Sequence, residues 1–151
     1  MKPSSESPVI ALRSPAHAAD WLATRTIFSE YAASLAVDLC FQNFDQELAD
    51  LPGEYADPRG ALLLAWVDGA VAGCCALRPF DACDYANAAE MKRLYVRPAY
   101  RGLGLGRLLT EGILDAARAA AYHCVLLDTL DDMEAARALY EDLGFVEIPP
   151  Y

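Results

Sequence analysis

The chain has 151 residues and a mass of 16.4 kDa, the size of one ordinary domain, long enough to bury about two-thirds of its unfolded surface. Its 55% apolar and 23% charged residues give a globular composition, far from that of a disordered chain. Twelve Lys and Arg against twenty-two Asp and Glu leave a net charge of −10, which argues against nucleic acid or an anionic membrane as the main partner. No apolar run approaches the ~20 residues of a membrane span, and the first twenty residues lack the apolar region of a signal peptide, so the cytoplasm is the expected compartment.

Residues 8–13 hold a short apolar run that reads as a strand, and Ser14-Pro15 fits the N-cap and first turn of a helix. Ala18, Trp21, Leu22, Phe28, Tyr31 and Leu35 recur at mostly helical spacing, with Arg25 and Glu30 among the polar positions, and predict a long helix. Asp45 is placed to cap a short helix carrying Leu48 and Leu51, which Pro52-Gly53 would stop before a loop that runs to Gly60. Strand-like runs over 61–67 and 70–78 flank Asp68-Gly69, a pair that favours a type I′ hairpin turn. Residues 90–96 alternate charged and apolar side chains, as a strand with two different faces would, and Pro98 stops them.

Leu105, Leu108, Leu109, Ile113, Leu114, Ala117 and Ala121 mark an amphipathic helix, followed by an apolar strand over 123–129. Met133, Ala136, Leu139, Tyr140 and Leu143 form the stripe of another helix, capped by Asp131 or Asp132 and ended by Gly144. One more strand is expected over 145–148. This order predicts a single α+β, or mixed α/β, domain over 1–151, with a mixed sheet carrying helices on its faces.

Cys40, Cys74, Cys75, Cys83 and Cys124 are odd in number and show neither a CxxC pair nor a zinc spacing with histidine, so they read as reduced thiols and no metal is expected. Adjacent on a strand, Cys74 and Cys75 must face opposite sides. His17 and His123 have no partners that resemble a catalytic triad.

The run Arg101, Gly102, Leu103, Gly104, Leu105, Gly106 and Arg107 lies between a predicted strand and a predicted helix. Glycines there let backbone N–H groups turn around an anion, and the helix N-terminus adds favourable dipole charge. The dinucleotide fingerprint GxGxxG would need a glycine at position 107, and the Gly-Lys-Ser/Thr ending of a Walker A loop is missing.

Arg101-x-x-Gly104-x-Gly106 resembles the acyl-CoA pyrophosphate loop of the GNAT superfamily of N-acetyltransferases. The flanks are similar to that family too: Glu90 to Pro98 resembles its fourth strand, and Ala136 to Phe145 its A-x-x-L-Y-x-x-x-G-F segment, so the likeness covers roughly residues 60–148. Glu30-Tyr31, Phe41-Gln42, Glu47-Leu48 and residues 51–55 resemble a group of small bacterial GNAT proteins.

The resemblance implies a central mixed, largely antiparallel sheet whose fourth and fifth strands splay apart, and acetyl-CoA as cosubstrate without a metal. It implies that backbone groups of Arg101, Gly102, Leu103, Gly104, Leu105, Gly106 and Arg107 bind the pyrophosphate, with the two arginines adding charge. Leu94, Tyr95 and Val96 would pair with pantetheine and offer a backbone donor to the thioester carbonyl.

Tyr140 matches the tyrosine that protonates the departing thiolate, although it also fits a core position on its helix stripe. Glu90 leads as the base that relays the substrate ammonium's proton, with Glu54 and Tyr55 in reserve; a solvent-facing strand end and a pair with Lys92 are the other readings of Glu90. Many relatives carry Asn after the fifth strand, where this chain has Leu130-Asp131-Asp132.

Residues 30–68 carry eight acidic side chains, Glu30, Asp38, Asp45, Glu47, Asp50, Glu54, Asp57 and Asp68, against the single basic Arg59. They point to a small cationic amine as acceptor, or else to a solvated acidic face. A protein or peptide amine, and a sensor that binds acyl-CoA without turnover, are the rival readings. The family's final strand is not expected within this sequence, so either a tail is missing from this chain or the sheet has an uncovered edge that a second copy, in a homodimer, completes.

Overall fold

The structure is a computed structural model, which describes residues 7–35, 44–81, 83–128 and 134–149. Expectations for Cys40, Phe41-Gln42 and residues 129–133, including the helix caps at Asp131 and Asp132, lie outside the described residues.

Strand β1 (Ile10–Arg13) pairs antiparallel with β2 (Ala61–Val67), which pairs with β3 (Ala70–Pro79). Asp68 and Gly69 make the β2–β3 turn with φ of +50° and +86°, the left-handed pair that the Asp-Gly sequence favours. Strand β4 (Ala88–Val96) is antiparallel to β3, and β5 (Cys124–Leu126) is parallel to β4, so the sheet runs β1-β2-β3-β4-β5. The mixed, largely antiparallel sheet expected of the chain is therefore present.

Helices cover both faces. Helix α3 (Leu105–Ala119) buries Leu105, Leu109, Ile113 and Ala117, spaced by four, against Val67, Cys75, Leu77, Ala89 and Met91. On the opposite face α1 (Ala18–Ser34) sets Ile27 and Phe28 against Leu62, Leu64, Cys74 and Ala76. Cys74 and Cys75 thus enter opposite cores, both as buried thiols whose pKa burial pushes up. Two shorter helices, α2 (Phe44–Asp50) and α4 (Glu134–Asp142), complete the layers, with a 3-10 turn at Gly53–Tyr55 between α2 and β2.

Several local expectations change. Helix α1 is capped at His17, because the Asp20 carboxylate accepts from the backbone N–H groups of Ala16 and His17, at 3.0 and 3.4 Å, instead of from the Ser14-Pro15 corner. Leu22 is 61% exposed while Asp20 and Thr24 are buried, so the inward face of α1 is less apolar than its stripe predicts. Asp45 lies inside α2, and Ala121 lies past the end of α3 with φ of +65°. Residues 145–149 form no strand among the described residues; with residues 124–128 they line a cavity of about 580 Å³ instead of pairing with β5.

Two irregularities of β4 shape the region that follows. Cys74 registers with Tyr95 and Ala76 with Lys92, so Arg93 and Leu94 together oppose the single Cys75. This bulge, with Arg93 at φ +65°, puts Lys92 and Arg93 on the α1 face in succession and sends Met91, Leu94 and Val96 to the α3 face. The pairing with β5 ends at Glu90 and Leu126, while β4 continues to Val96. The two strands therefore part at Glu90.

Candidate active site

A cavity of about 100 Å³ opens where β4 leaves β5, lined by Tyr31, residues 90–94, Leu127, Asp128, Ala136 and Tyr140. Tyr140, from α4, is 8% exposed and packs edge-on to Phe145 with ring centroids 5.7 Å apart. Burial pushes its phenol well above the ordinary value, so it holds its proton at neutral pH. Among the described residues the Tyr140 hydroxyl has no hydrogen-bond partner, which suits a group that donates to a ligand. Tyr31, from α1, closes the cavity on the other side and stacks edge-on to Tyr95 at 6.0 Å.

Glu90 is buried at the fork, 5% exposed. Its Oε1 accepts from Arg78 Nη2 and Nε at 2.6 and 2.9 Å, and Lys92 Nζ stands 4.0 Å away. Glu90 is thus not a solvent-facing strand end, and the alternative pairing with Lys92 is secondary to a two-pronged pair with Arg78. Glu54, a reserve candidate, meets the same guanidinium at 3.1 Å, and Tyr55 is buried in the α1 core.

Three of the eight acidic residues before the hairpin meet arginines, Glu54 through Arg78 of β3 and the other two through β4 and the residue after it. Glu47 of α2 takes Arg93 by two hydrogen bonds of 2.7 and 2.9 Å, and Glu30 of α1 takes Arg97 by two of 2.6 and 2.9 Å. These carboxylates therefore anchor helices to the sheet. The acidic field expected to steer a cationic amine is correspondingly reduced.

The glycine loop lies at the N-terminus of α3. Gly102 and Gly104 have φ of +90° and +78°, and a Cβ on either would meet nothing within 4 Å, so the loop is open. The left-handed backbone, more than space, requires glycine there. Beyond the bonds internal to α3, the backbone N–H groups from Gly102 to Arg107 donate to no other backbone group among the described residues. This open turn fits a pyrophosphate. Arg101 stays at the rim, with its Nε on the Val96 carbonyl at 3.0 Å. Arg107 instead pairs with Asp142 of α4, which engages the charge expected to serve the phosphate. Leu105 is buried in the core, so it offers its backbone alone.

Of the predicted residues, the fold brings Glu90, Leu94 and Tyr140 to one cavity. Tyr95 faces the α1 core and Val96 the α3 side, and neither lines that cavity. Lys92, Tyr31 and Asp128 were missed as cavity residues; Lys92 stood two positions from Glu90, but nothing in its spacing marks it as lining a site. No group of three potential metal ligands occurs among the described residues.

The family profile "Acetyltransferase (GNAT) family" matches residues 21–145. An uncharacterised N-acetyltransferase of Schizosaccharomyces pombe is 40% identical over 152 aligned positions, covering 100% of this chain and 89% of that protein. An IAA acetyltransferase of Azospirillum brasilense is 35% identical, covering 83% of this chain and 87% of its own length. Among solved structures, a Salmonella typhimurium protein with its cofactor acetyl-CoA superposes with a TM-score of 0.71 at 26% identity, covering 91% of this chain and 79% of that one. With a parted β4–β5 pair beside a glycine loop, and a family match spanning most of its length, this chain belongs to the GNAT family of acetyltransferases.

Proposed function

We propose that this GNAT-family enzyme, which draws on acetyl-CoA, moves the acetyl group directly to the primary amine of a small molecule. The observation that carries the reading is the cavity lined by Tyr140 and Glu90 where β4 leaves β5, on the strand that leads on to the open glycine loop. Bound acetyl-CoA supplies an acetyl group already activated as a thioester. The backbone N–H groups of Gly102 to Arg107 would hold its pyrophosphate, with Arg101 adding charge from the rim, and the backbone of Leu94, Tyr95 and Val96 would border its pantetheine arm.

Glu90, held in place by Arg78, draws the ammonium's proton directly or through water, and Tyr140 gives its proton to the departing sulfur. The amine's nitrogen bonds to the acetyl carbon as the carbon–sulfur bond breaks. The amine gives up two protons and the sulfur gains one, so one proton leaves to solvent for each acetyl moved. The acidic stretch supports a cationic acceptor less than its eight residues suggest, because three of them, Glu30, Glu47 and Glu54, are paired with arginines. The Azospirillum relative, an IAA acetyltransferase, is in keeping with a small-molecule acceptor.

The test is release of CoA from acetyl-CoA across a panel of small amines, with mass measurement of each product. Stabilisation by acetyl-CoA without turnover on any amine would favour a sensor. Gly104→Val should weaken calorimetric CoA affinity at least tenfold, and unchanged affinity would contradict the loop assignment.

A further inference from the structure

The cations that β3 and β4 present to the α1 face are not equally matched. Arg93 and Arg97 each hold a carboxylate of their own, Glu47 and Glu30, by two hydrogen bonds. Lys92 has no such partner. Its nearest carboxylate oxygen, Glu90 Oε1, is 4.0 Å away and already receives two hydrogen bonds from Arg78. Arg78 also meets Glu54 at 3.1 Å, so of the two cations beside the buried Glu90 it is Lys92, a residue of the cavity wall, that has no carboxylate within hydrogen-bond distance among the described residues.

The bulge at Arg93 matters here, since it places Lys92 and Arg93 on the same face beside Tyr31. Burial also pulls the Lys92 ammonium below its ordinary value of 10.5, a penalty that an anionic partner would relieve. Across the cavity stands Asp128, exposed, with no hydrogen bond or ion pair among the described residues. One wall thus offers positive charge and the other negative.

We infer that the acceptor is an amino acid, whose carboxylate is received by Lys92 while its amino end lies toward Asp128 and passes its proton to Glu90 through water. This rests on the acetyl-transfer reading above and narrows its substrate class. The cavity, about 100 Å³, has room for a few heavy atoms. The amino and carboxylate groups must therefore be separated by few bonds, with the rest of the molecule outside.

The experiment compares free amino acids with their primary amides and their decarboxylated amines as acceptors. For the wild type, kcat/KM on the best free amino acid should exceed that on its amide at least tenfold. Lys92→Met should reduce this acid-to-amide ratio at least tenfold, mainly through KM, and Lys92→Arg should restore most of it. Asp128→Asn should raise KM for acids and amides alike. Equal use of acid and amide by the wild type, or a ratio unchanged in Lys92→Met, would overturn the assignment, and an unchanged KM in Asp128→Asn would remove Asp128 from it.

A second measurement does not depend on turnover. The N-acetyl derivative of each amino acid, and the amide of that derivative, are titrated into CoA-saturated protein by calorimetry. The acid should bind at least tenfold more tightly than the amide, and Lys92→Met should erase the difference. If no amine is acetylated yet this difference appears, the turnover reading fails and the carboxylate site stands. If the acid and amide bind equally, the carboxylate site fails by itself.

Discussion

Tyr140, buried, and Lys92, partly buried, are both ionisable residues of the cavity wall, and burial acts on them in opposite senses. It raises the Tyr140 phenol, which keeps the proton it is proposed to donate. Tyr140→Phe should therefore lower kcat about 100-fold, in the range of a lost general acid, while CoA affinity measured by calorimetry stays within twofold; equal turnover would remove the acid role. For Lys92 the folded chain binds its proton less tightly than the unfolded chain does. The resulting penalty is full below the lowered pKa, fades as pH rises through it, and is gone above the ordinary value of 10.5. Lys92→Met should melt at a higher temperature than the wild type at pH 7, with the gap narrowing in the alkaline range. Melting below the wild type at pH 7 would show that the lysine stabilises the fold.

At the scale of elements, the hairpin, helix α3 and the glycine loop were legible because each depends on local chemistry: Asp68-Gly69 for the turn, residues spaced by four for the helix, and glycine for the loop. The β4 bulge was not. Residues 90–96 alternate charge and apolarity almost as a regular strand does, and the phase change at Arg93 follows from register with Cys75 and from Glu47 on another element. The cap of α1 was missed for a similar reason, since Asp20 reaches back to two backbone N–H groups and to Arg13 at 2.8 Å. The 3-10 turn that carries Glu54 and Tyr55 depends on Gly60, where an added Cβ would lie 2.4 Å from the Glu54 carbonyl oxygen and 2.5 Å from the Tyr55 carbonyl carbon. Because those atoms are backbone, Gly60→Ala should destabilise the protein by about 1–3 kcal/mol, read as a lower urea midpoint; an unchanged midpoint would mean that the turn yields easily.

Across the whole molecule, arginines of β3, β4 and the residue after β4 tie three separate segments to one sheet face: Glu30 of α1, Glu47 of α2 and Glu54 of the 3-10 turn. These ties differ in strength because they differ in exposure. Side chains are 11% and 22% exposed in the Arg93–Glu47 pair, while Glu54 is 61% exposed and Arg78 also holds Glu90. Glu47→Ala should cost about 3 kcal/mol by leaving a largely buried guanidinium without its carboxylate, whereas Glu54→Ala should cost less than about 1 kcal/mol. Urea denaturation of the two variants at low and high salt tests this, with the Glu54 effect shrinking more in salt; equal losses would contradict the exposure argument.

By itself the sequence determined the class of fold, the glycine loop before α3, the strand carrying Glu90 and the helix carrying Tyr140, because periodicity and backbone-specific residues act over a few positions. Tertiary structure decided which charges remain available. Glu30, Glu47 and Glu54 read as an acidic field in one dimension, yet each lies 24 to 67 residues from the arginine that it meets. Folding brings those pairs within hydrogen-bond reach and leaves Lys92, beside an already occupied carboxylate, facing the cavity. Charge in a sequence adds up along the chain, but a site is governed by which opposite charges come close enough to pair.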